Sequence, residues 1–379
     1  MIKNISIKNY KSIVDAKLPL GRFNVLIGEN GCGKSNLLEA ITMAAAAESN
    51  KLEFEYFANR GIRLVSQKLM LPAFPEVEAD KIEITVDDEK RREYKIRYNE
   101  QLESPQWVDE NYHIQDYDLK SSPFDVVQLM DHFDKIAPKD GTRIVYSIGK
   151  GAMLVRDTNR AIEQFLVYTP EESKLRQLTE KNRIHPLGRQ GEGLLDYIVN
   201  LSSSDNGIST LNEITDNMRI LDWFDDFGIS NLKKYESDIL LKDRYTEDTL
   251  TLFTQHSANE GFLYLLFYFT LLTSKQTPQF FAIENIDSAL NPKLCRELVG
   301  RMVALAKKYN KQLIVTTHNP AILDGLDMND EEQRLLVVSR NTDGYTRVRP
   351  IENEKMVKSE KPLSELWTKG FIGGLPNNF

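Results

Sequence analysis

The chain of 379 residues is 41% apolar and 27% charged, as for a soluble globular protein, and is long enough for two lobes or for one domain with a large insertion. A net charge of −8 argues against a protein that coats nucleic acid, though it leaves room for a local basic groove. Two cysteines, Cys32 and Cys295, fit a reducing cytoplasm and exclude a disulfide framework. Residues 1–7 lack a signal-peptide core, and the longest apolar run, Phe262 to Leu272, is too short to cross a bilayer.

Ile5, Ile7 and Tyr10, followed by Ile13, read as a first strand leading into a second, Phe23–Ile27. Residues 28–35, Gly-Glu-Asn-Gly-Cys-Gly-Lys-Ser, then complete the spacing G-x-x-x-x-G-K-[ST]. Gly28, Gly31 and Gly33 allow a tight turn that aims backbone N–H groups at phosphate oxygens. Lys34 neutralises the β and γ phosphates, Ser35 is placed to ligate Mg²⁺, and Asn30, Cys32 and Asn36 complete the cradle. Leu37, Leu38, Ile41, Ala44 and Ala45 fall at helical spacing, so a helix N-terminus adds its positive end to the same site. The pattern predicts binding of a nucleoside triphosphate with Mg²⁺.

Residues 81–86 and 94–98 alternate across the turn Asp87–Arg92 and predict an antiparallel hairpin. Residues 100–240 read as a mainly helical insertion. Asp109, Glu110, Asp116 and Asp118 mark an acidic looped stretch. Thr169-Pro170-Glu171-Glu172 reads as a helix start with Thr169 as cap, and Thr210-x-x-Glu213 opens another helix carrying Ile214, Met218, Leu221 and Phe224 up to Gly228. No long a/d heptad run is present. Lys174, Arg176, Lys181, Arg183 and Arg189 read either as a DNA groove or as a solvated mixed-charge face.

Strands return near residue 236, with Ile239, Leu241, Leu250 and Leu252 as candidates. A helix is predicted over 258–273, a strand over 279–284, a helix opening at Asn291-Pro292, a strand over Gln312–Thr316, and a hairpin around Asn341–Gly344. The expected division is 1–99 and 241–379 as two lobes of one head, with 100–240 between them. The strand 279–284 ends on Glu284, which reads either as the carboxylate that holds Mg²⁺ beside the phosphate loop or as an acid that happens to end a buried strand.

Five segments together resemble an ABC-type ATPase head of the SMC/RecF/OLD-nuclease group, a branch within the AAA-family ATPases. They are Ile5–Ile13, Leu26–Ala40, Ser257-Ala-Asn-Glu260-Gly, Asp287-Ser-Ala-Leu290-Asn and Ile314-Val-Thr-Thr-His318-Asn-Pro. The ending Trp367–Pro376 is similar to this branch as well, and Pro186–Gly193 is a weaker match. The resemblance implies an α/β P-loop fold and a head-to-head homodimer, or a higher oligomer, with ATP held between subunits. Each ATP would touch the phosphate loop of one subunit and Ser257, Asn259 and Glu260 of the other; Ser257-x-x-Glu260 equally fits a capping box. His318 would sense the γ-phosphate or the attacking water, against a capping or packing role, and Gln67, Lys11 and Ser12 are weaker candidates for nucleotide contact.

Two positions depart from the pattern. The usual Asp-Glu pair reads Glu284-Asn285, and an amide takes no proton, so hydrolysis is expected to be slow; Asp287 stands two residues on. Asn259 replaces the Gly that usually follows the signature Ser-x. The resemblance further implies a cytoplasmic ATPase that controls a separate effector, such as a nuclease, in bacterial defence against phage. The alternative is a DNA repair or chromosome-maintenance ATPase that grips DNA. The roughly 60 residues after His318 are too few for an appended Toprim nuclease.

Overall fold

The computed structural model describes residues 1–101, 106–111, 143–148, 152–157, 161–177, 187–203, 205–233, 236–246, 253–351 and 361–375. Its strands follow two patterns. Alternating strands form an antiparallel sheet with one covered face, and apolar strands form a largely parallel sheet covered on both faces.

The expected first strand is a hairpin, β1 (Asn4–Tyr10) and β2 (Ile13–Pro19), because the chain reverses at Lys11 with a left-handed φ of 48°. β3 (Phe23–Ile27) is buried throughout and leads through the phosphate loop into α1 (Lys34–Glu48). The short helices α2 (Phe54–Asn59) and α3 (Gln67–Met70) follow. The predicted hairpin is β4 (Ile82–Asp87) and β5 (Arg91–Asn99), and β6 (Gln106–Asp109) extends it. These strands form an antiparallel sheet in the order β2-β1-β4-β5-β6.

Among the described residues of the segment expected to be mainly helical, helices occur only at 172–175, 194–201 and 205–218. β7 (Arg143–Ile148) and β8 (Ala152–Asp157) pair as a hairpin, and β9 (Val167–Tyr168) runs parallel to a strand of the central sheet. α4 (Glu172–Leu175) has Glu171, not Thr169, at its N-cap position, with no side chain bonding its first N–H groups, and the Thr169 hydroxyl instead accepts from Arg189. α5 is Leu194–Leu201. α6 (Asp205–Met218) already contains Thr210 and stops at Met218, so Thr210 is no cap. Phe224 and Gly228 then belong to strand β10 (Phe224–Lys233), which pairs with β11 (Glu236–Asp243) and through it with β12 (Phe253–Thr254). Apolar residues of this hairpin fall by chance at helical spacing with those of α6. β6 and β9 join the sheets of the two flanking lobes, so the segment is woven into the head. Asp116, Asp118, Lys181, Arg183, Leu250 and Leu252 lie outside the described residues.

The remaining elements are α7 (Glu260–Thr273), β13 (Phe280–Ile283), α8 (Pro292–Lys308), β14 (Gln312–Thr316), a 3-10 turn Pro320–Gly325, β15 (Gln333–Arg340), β16 (Thr346–Pro350) and α9 (Leu363–Thr368). The central sheet has the order β16-β15-β3-β14-β13-β9, parallel except for β16. Period-2 alternation splits its side chains between two cores. Val25, Phe281, Val315 and Leu335 face α7 and α8, while Leu26, Phe280, Ile314 and Leu336 face α1 and the antiparallel sheet. α1 is wedged between two sheets, and its run Ala44–Ala47 keeps it thin enough to fit. β3, β13 and β14 end side by side, at the carboxyl edge where open parallel sheets place ligands.

Candidate nucleotide site

The phosphate loop joins the end of β3 to α1. Gly28, Gly31 and Gly33 have φ of 154°, 77° and 111°. At Gly33 space alone excludes a side chain, because a Cβ would lie 2.2 Å from Thr346 Oγ1. Gly33 is also the N-cap of α1, so no side chain satisfies the first N–H groups, and no acidic residue occupies the first turn. The positive end of α1 therefore faces the loop uncompensated. Asn30 and Gly31 are exposed at the tip, and Cys32 is buried beneath it with its thiol pushed up by burial. Lys34 is buried; its Nζ donates to the carbonyls of Gly28 and Glu29 at 2.8 and 3.0 Å, and burial lowers its pKa. The ammonium thus rests inside the loop.

Ser35 Oγ donates to Glu284 Oε1 at 2.5 Å across 249 residues of sequence. β13 brings the carboxylate there, and the Glu284 N–H is fixed by the Tyr168 carbonyl of β9 at 2.9 Å. Asn285 adopts a left-handed φ of 52°, exposed, with its N–H donating to Thr316 Oγ1 at 3.0 Å. Asp287 faces the loop after β14, where its Oδ1 accepts from Thr317 Oγ1 at 2.7 Å and from the His318 N–H at 3.4 Å. Burial and the Lys34 ammonium lower the His318 pKa against the opposing pull of Asp287, which keeps the imidazole neutral at pH 7. The structure thus gathers Gly28–Asn36, Glu284, Asn285, Asp287 and His318 at one edge.

A cavity of about 400 Å³ opens beside the loop. Leu69, Leu71 and Phe74 supply an apolar wall, and Lys11, Arg63 and Arg340 a cationic rim. Lys11 and Ser12 reach it from the β1–β2 turn, as weighed from sequence, and Gln67 opens the adjoining helix α3. Sequence reasoning missed Glu39, Arg63, Arg340 and Thr346. Glu39, five residues past Lys34 in an otherwise apolar stretch of α1, is buried and accepts from Arg63 Nε and Lys11 Nζ at 2.5 Å each and from Tyr10 Oη at 3.1 Å. From Arg63 the bonds continue to Asn36, Ser12 and Thr346, whose hydroxyl donates to the Cys32 carbonyl at 2.9 Å. Arg340 donates to Gly31 O. A charged residue inside an apolar helix was the one signal available beforehand; the others are brought in by strands distant in sequence.

Ser257, Asn259 and Glu260 are exposed, and among the described residues no hydrogen bond joins them to the phosphate loop of their own chain. The capping-box reading is overturned. Asn259 is the N-cap of α7, its Oδ1 accepting from the Phe262 N–H at 2.8 Å, Glu260 is the first helical residue, and Ser257 Oγ donates to Thr254 O. Arg176 donates to the carbonyls of Gln255, His256 and Ala258, and Arg189 to Thr169, so both serve internal contacts rather than an open basic face.

A family model described as "AAA domain, putative AbiEii toxin, Type IV TA system" matches residues 23–324. The chain belongs to this AAA-domain family. Over 52 residues it is 36% identical to the DNA replication and repair protein RecF of Ruminiclostridium cellulolyticum, a match covering 14% of each chain. The chain therefore spans only a small part of that relative in alignment. Its fold is that of an ABC-type ATPase head of the SMC kind. An SMC head bound to the C-winged helix domain of ScpA superimposes with a TM-score of 0.55 at 14% identity, over 94% of this chain and 99% of that one. An SMC head with an extended coiled coil, bound to the C-terminal domain of ScpA derived from Pyrococcus furiosus, gives 0.54 at 14% identity, over 94% and 98%. Among the described residues no helix of this ATPase-family member is long and apolar enough to cross a membrane.

Proposed function

We propose that the chain binds Mg·ATP, hydrolyses it slowly, and acts as an ATP-gated scaffold that controls a separate effector in defence against phage. The observation that carries the nucleotide reading is the Ser35–Glu284 pair at 2.5 Å, set beside the uncapped N-terminus of α1. A hydroxyl and one carboxylate are hard oxygen donors suited to Mg²⁺, which characteristically takes few protein ligands and completes its shell with phosphate and water. Ser35 and Glu284 would hold the ion, which when bound neutralises charge on the phosphates.

Around it, the residues of the chain take distinct roles. Lys34 and the N–H groups of α1 bind phosphate, the cavity between Phe74 and Lys11 receives the nucleoside, and neutral His318 accepts a hydrogen bond near the γ-phosphate. Asn285 orients water without taking its proton, which supports long-lived ATP occupancy. Exposed Ser257 and the N-terminus of α7 are available to the γ-phosphate of a second subunit's ATP, which supports a head-to-head dimer. The family's description, which names a toxin of a type IV TA system, supports an effector-linked role. The short match to a replication and repair protein favours the second reading, a repair ATPase that grips DNA. The internal bonds of Arg176 and Arg189 weigh against it. The test is affinity capture of the tagged chain from its native host, beside ATP turnover with and without DNA. A stoichiometric effector and DNA-independent turnover support the first reading; DNA-stimulated turnover that falls steeply with salt supports the second.

A further inference from the structure

The segment Leu363–Leu375 is not explained by nucleotide binding alone, yet it touches both halves of the site. At one end, Asp324 in the 3-10 turn that follows His318 accepts from the Ser364 N–H at 2.9 Å and from its hydroxyl at 2.7 Å. Trp367 and Ile372 then bury in the core shared with β3 and β15. Arg349 of β16 grips the Ile372 carbonyl at 2.5 Å. At the other end, Gly373 and Gly374 are left-handed, with φ of 76° and 79°. A Cβ on Gly374 would lie 3.1 Å from Val337 Cγ1 and 3.4 Å from the Cα of Gly28, the first glycine of the phosphate loop. Gly28 itself has no room for a side chain: a Cβ there would meet the Val338 carbonyl at 2.2 Å and Cys32 Sγ at 2.8 Å.

We propose that Leu363–Leu375 is a positioning strap in which Gly374 seats Gly28 while Ser364 ties the same strap to the loop carrying His318. The strap fixes where the phosphate loop lies relative to His318, and so links phosphate binding to the γ-phosphate sensor. This rests on the nucleotide reading above and adds a positioning residue, Gly374, that never touches ATP.

Gly370 provides a matched control. Its φ of 78° equals that of Gly374, but a Cβ there meets nothing within 4 Å. Both Gly370→Ala and Gly374→Ala introduce the same backbone strain, and only the second adds a methyl that crowds Val337 of β15 at 3.1 Å and comes into van der Waals contact with the Gly28 Cα at 3.4 Å. Equilibrium binding of a fluorescent ATP analogue with Mg²⁺ is expected to weaken more than twofold in Gly374→Ala and to stay within twofold of wild type in Gly370→Ala, with the larger fall in Tm at Gly374, whose methyl also crowds Val337. Ser364→Ala is expected to lower turnover at saturating ATP while leaving binding unchanged. Hydrogen exchange on the unmodified protein needs no variant: amides of 363–375 should gain protection with Mg·ATP, and not in Lys34→Ala. Equal affinities of the two alanine variants, or exchange in 363–375 indifferent to ATP that demonstrably binds, would overturn the strap. Failure of the wild type to bind ATP at all would overturn the nucleotide reading instead.

Discussion

Asn285 occupies the position where a water-activating carboxylate is expected, and the backbone there gives a second reason for an amide. With φ at 52°, the residue lies in the left-handed region that Asn enters at little cost, and its N–H and C=O are fixed by Thr316 and Ser288. Replacing it by Glu supplies a proton acceptor directly after Glu284. General-base help is worth roughly 10²–10⁴-fold in rate. Holding Glu in the left-handed region costs about 1 kcal/mol, which for a chain of 379 residues lowers Tm by roughly 1 °C. Asn285 is exposed, so the longer side chain meets no packing barrier. Asn285→Glu is therefore expected to hydrolyse ATP at least 10²-fold faster in single turnover, with slightly reduced Tm and binding intact. A quench-flow assay on Mg·ATP, with Lys34→Ala as blank, reads this directly. A folded, ATP-binding Asn285→Glu that turns over no faster than wild type would refute the assignment of Asn285 as the brake.

Other expectations follow from the same geometry. Gly33→Ala drives a methyl into Thr346, which also holds Ser12 and Cys32, and should abolish ATP binding by calorimetry. Glu39→Gln leaves Lys11 and Arg63 without their shared buried carboxylate; a loss of about 3 kcal/mol in urea unfolding is expected, scaled down to the extent that the exposed Arg63 finds water instead. Ser35→Ala and Glu284→Gln act on one hydrogen-bonded pair, so their effects on ATP affinity in Mg²⁺ should be non-additive by about 0.5–3 kcal/mol in a double-mutant cycle. His318 has a lowered pKa in the folded chain, so the unfolded chain takes up its proton first as pH falls. Its contribution to stability is complete above the ordinary value of about 6.5 and is lost as pH drops from there toward the folded pKa. His318→Asn should flatten that part of the stability profile.

The parallel core was legible because its strands are short, largely apolar runs that end in chemically loaded residues: Gly28 after β3, Glu284 after β13, His318 after β14. The helix opening at Asn291-Pro292 was equally clear, since Asn291 caps it and proline takes N1. Between residues 100 and 240 the local signals competed. Thr210 and Glu213 have capping-box spacing but sit within α6, because tertiary packing of Ile214 and Met218 sets where the helix lies. Ser257 and Glu260 mimic a cap for the same reason, while Asn259 makes the bond. The cavity beside the phosphate loop was only half visible. Lys11 and Ser12 stand beside a recognisable strand, whereas Arg63 and Arg340 line it from distant segments, and Thr346, 334 residues from Ser12 in sequence, braces Ser12 from behind.

The most direct measurement is single-turnover hydrolysis of Mg·ATP by the purified chain beside Lys34→Ala. Tight binding with slow hydrolysis, both lost in Lys34→Ala, is the expected result. Rapid multiple turnover, or ATP binding that survives Lys34→Ala, would contradict an ATP-held scaffold built on this loop.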